Sequence, residues 1–399
     1  MPECDTASET TLHRTPTALN ALNGEDMDLA PQTTAVFDEL IATLAEIRDG
    51  YALNAERFTE PIDVVEAYRY VGHLLSAASE MFFDADPAHP RMASIVSPAR
   101  KLQGDNPDAI YHYARISGDR AYRISGVIGK ECYTSFTIHG ESPDGALAGP
   151  LLGDINDRDF EVAADGSYSI VLSADRHEGN WLQLDPRAFA VVVRSYFQLE
   201  RSAQNDPSIA VNIAIEPLDP TPASAPLTDE VFAGRMREGL GFLRQTTLGQ
   251  RLPGTAPTVP FVAAEPNTLP KPFSFRDSGL PVPGAADIFY ASGRWELAAD
   301  EALVISGVLP KCAFANVMLW NRHMQTLEYR TRRSSINQEQ LVLEADGSFR
   351  IVIADSDPGL PNWLDTEGHP SGTIFWRILL PVEDPQQMSC AVVELASLR

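Results

Sequence analysis

Apolar residues recur at helical spacing from Thr34 onward, at Phe37, Leu40, Ile41, Leu44 and Ile47, and Gly50 then suits a left-handed C-terminal cap. A second helix is predicted from Thr59, with Pro61 in its first turn and Val65, Tyr68, Val71, Leu75, Ala78 and Phe82 on one broad face before Pro87. The pair is expected to form a helical hairpin laid over the domain that follows. Beyond Pro107 the pattern shortens. Segments 110–116, 122–128, 133–139, 167–172 and 188–198 are rich in β-branched and aromatic residues and are parted by Gly, Asp, Asn and Pro. That describes a sandwich or jelly roll better than a parallel α/β sheet. Thr228 caps a third helix bearing Phe232, Met236, Leu240 and Leu243, which stops near Gly249. Pro253, Pro257, Pro260, Pro266, Pro270, Pro272, Pro281 and Pro283 exclude a central strand after it and predict an extended linker over a surface. Further strands are expected near 302–309, 315–320, 349–354 and 373–380.

Two stretches occur twice. Asp165-Gly166-Ser167-Tyr168-Ser169-Ile170-Val171 returns as Asp346-Gly347-Ser348-Phe349-Arg350-Ile351-Val352, an offset of 346 − 165 = 181. Asn180-Trp181-Leu182 returns as Asn362-Trp363-Leu364, and Ile124-Ser125-Gly126-Val127 as Ile305-Ser306-Gly307-Val308. The chain is therefore read as a duplication. It divides into an acidic disordered tail (1–33), the helical hairpin with a turn-rich entry (34–104), a first β-sandwich (105–216), a helix and Pro-rich linker (217–286) and a second β-sandwich (287–399). The fold class is mainly β (α+β): two tandem jelly-roll-like β-sandwich domains with an N-terminal helical hairpin and a linker helix.

A chain of 399 residues that is 44% hydrophobic and 22% charged can bury two or three domains. Its formal charge of −24 repels phosphate backbones and anionic lipid, which argues against nucleic acid and membrane as partners. Cys4, Cys132, Cys312 and Cys390 are scattered and are read as reduced thiols. With no apolar run of signal-peptide length in residues 1–34, a cytoplasmic protein is expected. A homo-oligomer stays open.

The run Gly104-Asp105-Asn106-Pro107-Asp108-Ala109-Ile110-Tyr111, then Tyr122-Arg123-Ile124-Ser125-Gly126, then the Asp-Gly-Ser and Asn-Trp-Leu pieces resembles the bacterial family built on the domain of unknown function numbered 1214. The resemblance spans roughly 68–399. It implies β-sandwich domains of jelly-roll type, often with a partner domain of unknown function numbered 1254, and it brings no activity with it.

A feature kept in both copies is more readily architectural, and one found in a single copy is freer to carry function. Asn180 and Trp181 fall on the architectural side, although Trp181 and Trp363 can floor a pocket. Arg194 and Arg377 also correspond, each inside an apolar run, so each needs a partner. The choices are an ion pair with Asp165 or Asp346, or a fork for a substrate carboxylate, sulfate or phosphate. Asp105-Asn106-Pro107-Asp108 is matched only by Gly284-Ala285-Ala286-Asp287, which singles out the first copy. There Asp105 and Asp108 are candidate acid/base carboxylates, Tyr111 and His112 candidate donors, and Asn106, Arg115, Trp181 and Arg194 candidate substrate contacts. The competing reading is an Asx turn that fixes entry into the strand. On this asymmetry Asp105→Asn or Asp108→Asn is expected to remove function and Asp287→Asn to spare it. Eight histidines show neither HExxH nor HxH spacing, and no GxSxG, Walker or dinucleotide motif appears, so no metal or cofactor is expected. The leading expectation is a cofactor-independent enzyme that performs hydrolysis, elimination or isomerisation on a small organic molecule. Its pocket is expected where the first β-domain meets the N-terminal helices. The alternative is a non-catalytic glycan- or metabolite-binding module or a scaffold subunit.

Overall fold

The computed structural model describes residues 29–398 apart from 148, 222, 253, 254, 256–258 and 277–286. The tail up to residue 28, Cys4, the prolines Pro253, Pro257, Pro281 and Pro283, and Gly284-Ala285-Ala286 lie outside the described residues. Helix α1 (Pro31–Ile47) runs on through a π turn at Arg48–Ala52, and α2 (Pro61–Ala78) through another at Ser79–Phe83. Gly50 therefore sits inside a right-handed turn and is not the left-handed cap expected of it.

The first copy follows as β1 (Ala93–Ser94), β2 (Ala109–Arg115), β3 (Tyr122–Val127), β4 (Tyr133–Gly140), β5 (Leu151–Asn156), β6 (Ser167–Ser173), β7 (Trp181–Gln183), β8 (Ala188–Tyr196) and β9 (Asn212–Pro217). They form two sheets ordered β1-β2-β8-β4-β5 and β7-β6-β3-β9. After α3 (Asp229–Thr246) the second copy runs β10 (Phe273–Ser274), β11 (Ile288–Glu296), β12 (Glu301–Gly307), β13 (Phe314–Trp320), β14 (Ser335–Asn337), β15 (Phe349–Ala354), β16 (Trp363–Asp365), β17 (Ser371–Leu379) and β18 (Ser389–Glu394). Its sheets are β10-β11-β17-β13-β14 and β16-β15-β12-β18, the same two orders strand for strand.

The shared sequence pieces do the same work in each copy. Gly126 pairs with Tyr168 across β3 and β6, and Gly307 with Phe349 across β12 and β15. Asp165 and Asp346 accept from Ser167 and Ser348 beside Gly166 and Gly347, which share a φ of 84° that only glycine takes without strain. Asn180 and Asn362 clip two backbone segments together: each amide donates to two carbonyls and each side-chain oxygen accepts one N–H.

Packing explains the unbroken apolar runs. Val191 and Val193 enter the core of the first sandwich, and Ile374 and Trp376 that of the second. The alternate residues Val192, Tyr196, Phe375 and Leu379 point the other way, into a third core shared by both inner sheets and the helices. Strands buried on both faces lose their alternation, and each such side chain contributes about 1.5–3 kcal/mol.

The helices bury only part of the faces read from periodicity. Ile47, Ala78 and Phe82 are buried as expected, but Phe37 and Val65 are 53% and 64% exposed, and Val36 and Thr43 of α1 and Asp63, Glu66, Tyr70 and Leu74 of α2 are buried in addition. Polar residues inhabit the inner face because they have partners there. Thr43 accepts from Arg244 of α3 at 2.9 Å, and Glu66 meets His369 at 3.2 Å. That last contact, with Tyr51 Oη on His323 Nδ1 at 2.8 Å, also carries the helices onto the second copy, so they cover both domains and not the first alone. The linker departs from expectation too. Residues 259–276 do not merely cross a surface, since Phe261 and Phe275 pack into the shared core and Ser292 N donates to the Phe261 carbonyl at 2.7 Å.

Candidate functional site between the two copies

The two inner sheets face each other, and between them lies a cavity of about 450 Å³. It is not confined to the first β-domain beneath the helices, where the pocket was expected. Its charged wall residues, among those described, are Arg194, Arg377 and Asp105. Register brings them there. Arg194 on β8 is paired with Tyr111 on β2, and Arg377 on β17 with Tyr290 on β11, so each copy offers one Tyr-Arg pair to the same space.

Arg377 is 6% exposed, donates to the Gly104 carbonyl at 2.7 Å and to Met318 Sδ at 3.2 Å, and lies over the Trp320 and Phe375 rings. Arg194 is half-buried and donates to Thr137 Oγ1 at 2.6 Å. Neither forms an ion pair with a carboxylate among the described residues. The expected partners Asp165 and Asp346 sit in exposed hairpin turns, where serine hydrogen bonds hold both carboxyls below their ordinary range. Tyr111 stands where both guanidinium groups act on it. Burial pushes its phenol well above the ordinary value, the Tyr196 hydroxyl adds to that, and the charges of Arg377 and Arg194 oppose it.

Asp105 is buried, and desolvation raises its carboxyl, against the pull of Lys101, the Thr326 N–H and hydroxyl, and Arg377. Its Oδ1 accepts from Thr326 N at 2.6 Å and from Thr326 Oγ1 at 3.0 Å. Lys101 turns away from the cavity, donating to the carbonyls of Thr326 and Leu327.

Asp108 lies elsewhere. It is fully buried, with Oδ1 accepting from Asn337 and Oδ2 from Asn316 of the second copy, both at 3.0 Å. Asp287, its counterpart, reaches back into the first copy and accepts from Tyr133 at 2.7 Å and Asn156 at 3.1 Å. Asn156 and Asn337 are themselves counterparts at the ends of β5 and β14, so the two aspartates form a reciprocal clasp across the domain interface. The asymmetry drawn from Gly284-Ala285-Ala286 thus does not extend to this position. Asn106 makes the Asx turn, its Oδ1 accepting from Asp108 N at 3.0 Å, and the same oxygen accepts from Asn316 at 2.7 Å.

The remaining candidates are dispersed. His112 points to the opposite face of β2 among Ile110, Gln204 and Val211, and burial lowers its pKa. Arg115 pairs with Glu238 of α3 at 2.8 Å and covers the Phe189 ring. Trp181 stays on the outer sheet, donating to Ser173 Oγ at 3.1 Å. The structure therefore unites Asp105, Tyr111 and Arg194 and leaves Asn106, Asp108, His112, Arg115 and Trp181 outside. It adds Arg377, Tyr290, Trp320, Phe375 and Phe261. The correspondence of Arg194 with Arg377 was the signal that pointed to the first of these.

The family model described as "protein of unknown function (DUF1214)" matches residues 112–198 and 298–383, one match in each sandwich. The chain belongs to that family. Among solved structures, an uncharacterized protein from Burkholderia cenocepacia is similar to this DUF1214 chain, with 32% identity and a TM-score of 0.80 over 92% of this chain and 99% of that one. A Vibrio parahaemolyticus protein is 12% identical and has a TM-score of 0.46, covering 82% of this chain and 98% of its own. No curated protein matches. Among the described residues of this DUF1214 protein, no helix is long and apolar enough to cross a membrane, and no three His, Cys, Asp or Glu side chains converge as metal ligands would.

Proposed function

We propose that this protein binds a small organic anion with an apolar body in the cavity between its two β-sandwiches. The observation that carries this reading is the arrival of Arg194 and Arg377, one from each copy, in one largely apolar cavity with no carboxylate in ion-pair contact among the described residues. A guanidinium taken out of water without a counter-charge costs several kcal/mol, and a bound oxyanion offsets that cost through charge-assisted, fork-like hydrogen bonds. The volume fits a ligand of drug-like size or below. Both arginines come from one chain, so the site does not require a homo-oligomer. Free thiols at Cys132, Cys312 and Cys390 support a reducing, cytoplasmic setting.

The test is thermal shift and titration calorimetry of the full chain with monocarboxylates and their primary amides. A ligand at a hundred times its Kd stabilises the folded state by about 2.7 kcal/mol. Carboxylates are expected to protect, amides not, and Arg194→Met or Arg377→Met to lose the effect. Equal protection by amides, or full binding by both variants, refutes the reading.

A second reading, acid/base catalysis, is favoured by one observation: Asp105 lines the same cavity and burial raises its carboxyl, the direction that suits a general acid. Under it, Asp105→Asn keeps ligand binding and abolishes turnover. Retained turnover in that variant excludes the role.

A further inference from the structure

We infer that the anion bound between the two sandwiches is a monocarboxylate carried on an aromatic ring. This rests on the binding reading above and specifies the ligand class. The first support is charge. The cavity wall carries two arginines and one aspartate among its described residues, so one negative charge brings it to neutrality and a second leaves an uncompensated anion away from water. Lys101 does not alter the count, because its ammonium is directed at the Thr326 and Leu327 carbonyls and is flanked by Glu328 and Glu367 as well as Asp105.

The second support is the ring content of the walls. On the second-copy side Phe261, Tyr290 and Phe375 form a continuous ring surface, with centroids 5.7 Å apart for Phe261 and Tyr290 and 5.8 Å for Tyr290 and Phe375. On the first-copy side the Tyr111 and Tyr196 rings stand beside the aliphatic carbons of Ile95, Val96 and Val192. A flat ring inserted there meets ring edges and faces on the second-copy side and a mixed wall of rings and methyl groups on the other. Arg377 fixes the orientation. It sits 4.9 Å from the Phe375 centroid and 5.3 Å from that of Trp320, which stacks on Phe375 at 4.2 Å. A carboxylate engaged by Arg377 therefore lays whatever it is attached to along the aromatic wall, within reach of the Tyr111 hydroxyl and Arg194.

Ring-ring contact is worth a preference of about two- to twelve-fold over a saturated ring of equal size. The experiment is calorimetric titration of the full chain with phenylacetate, cyclohexylacetate and, at pH 8, benzylphosphonate as the dianion. Phenylacetate is expected to bind tighter than cyclohexylacetate by that factor and tighter than benzylphosphonate by about tenfold or more. In Phe261→Leu, confirmed folded by its melting curve, the ratio of phenylacetate to cyclohexylacetate affinity should shrink towards parity. Cyclohexylacetate binding as well as phenylacetate overturns the aromatic class, and benzylphosphonate binding as well overturns the single charge, with the anion site itself left standing in both cases. If neither carboxylate binds, and the aliphatic carboxylates of the thermal-shift panel also fail to protect, the anion site falls and this inference with it.

Discussion

Asp108→Asn should destabilise the protein strongly although it changes one atom. Both carboxylate oxygens accept from amide groups of the second copy, Oδ1 from Asn337 and Oδ2 from Asn316. An amide at this position turns an NH2 towards one of those NH2 groups, and the Ser202 hydroxyl, which also bonds the carboxylate, can rotate to accept only one of the amide's two hydrogens. If Asn316 flips to accept, its own donor leaves Asn106 Oδ1, which is also held by the backbone N–H of residue 108, so relief at one contact undoes another. Losing one charge-assisted hydrogen bond costs about 1.5–3 kcal/mol and stranding a buried donor about 1–3. Removing a desolvated charge returns part of this, and the net expectation is about 3 kcal/mol. Asp287→Asn is milder, at about 1 kcal/mol or less. An oxygen can still face Tyr133 and Asn156, while the amide faces Arg276, whose side chain is 55% exposed and free to move into solvent. Urea unfolding followed by tryptophan fluorescence measures both, and urea leaves the charges unscreened. Because the clasp joins two domains, Asp108→Asn is also expected to broaden or split the transition. Equal losses in the two variants, or a loss below about 0.5 kcal/mol for Asp108→Asn, would refute the clasp as an energetic element.

Gly126→Ala drives a Cβ into the Tyr168 ring and should cost about 2 kcal/mol, whereas Gly307→Ala, with 3.1 Å to Phe349, should cost less; paired urea midpoints decide. Asn362→Ala removes three backbone hydrogen bonds from a buried site and should destabilise more than Asn180→Ala at its more exposed counterpart, again read from urea midpoints. The Glu66–His369 pair predicts a pH dependence. Burial works against both charges, yet His369, with Asn321 and His323, holds Glu66 below its ordinary value and Glu66 holds His369 above its own, so the histidine contribution is full below its unfolded value near 6.5 and fades as pH rises through the folded value. The glutamate contribution is present above about 4.5 and fades as pH falls through the lowered value, so the stability difference between the parent and Glu66→Gln should peak between about pH 5 and 6.5; a difference that is flat from pH 5 to 8 counts against the ion pair.

The duplication was legible because turns and clips need particular residues: a glycine at φ 84° and an Asn that satisfies three backbone groups are demanded by geometry wherever the fold repeats. Strands buried on both faces were legible from the runs at Val191 and Ile374. Edge strands β9 and β18 were not, since none of their residues is fully buried and a half-exposed strand leaves no strong apolar run in the sequence. Strand β11 was hidden differently, by Ser292, Gly293 and Arg294 in its middle. Gly293 is there because a Cβ would overlap the Thr268 carbonyl of the linker lying against it, a constraint set by a segment outside the strand.

The site was half-legible for a related reason. Periodicity assigns a residue to a face, but the function of the face depends on what lies opposite, and here that is the other copy. Asp108 was singled out as a carboxylate with chemistry to do, and its burial against Asn316 and Asn337 makes it a fastening between domains. Arg194 and Arg377 were read as corresponding residues in need of either an ion-pair partner or a ligand, and they arrive in one cavity because the two copies face each other. In a duplicated protein whose copies pack face to face, two equivalent positions build one place from both sides. A charge kept in both copies without a partner of its own is therefore a reason to look for a ligand, and the reciprocal aspartates show the other outcome, in which each copy supplies the partner the other lacks.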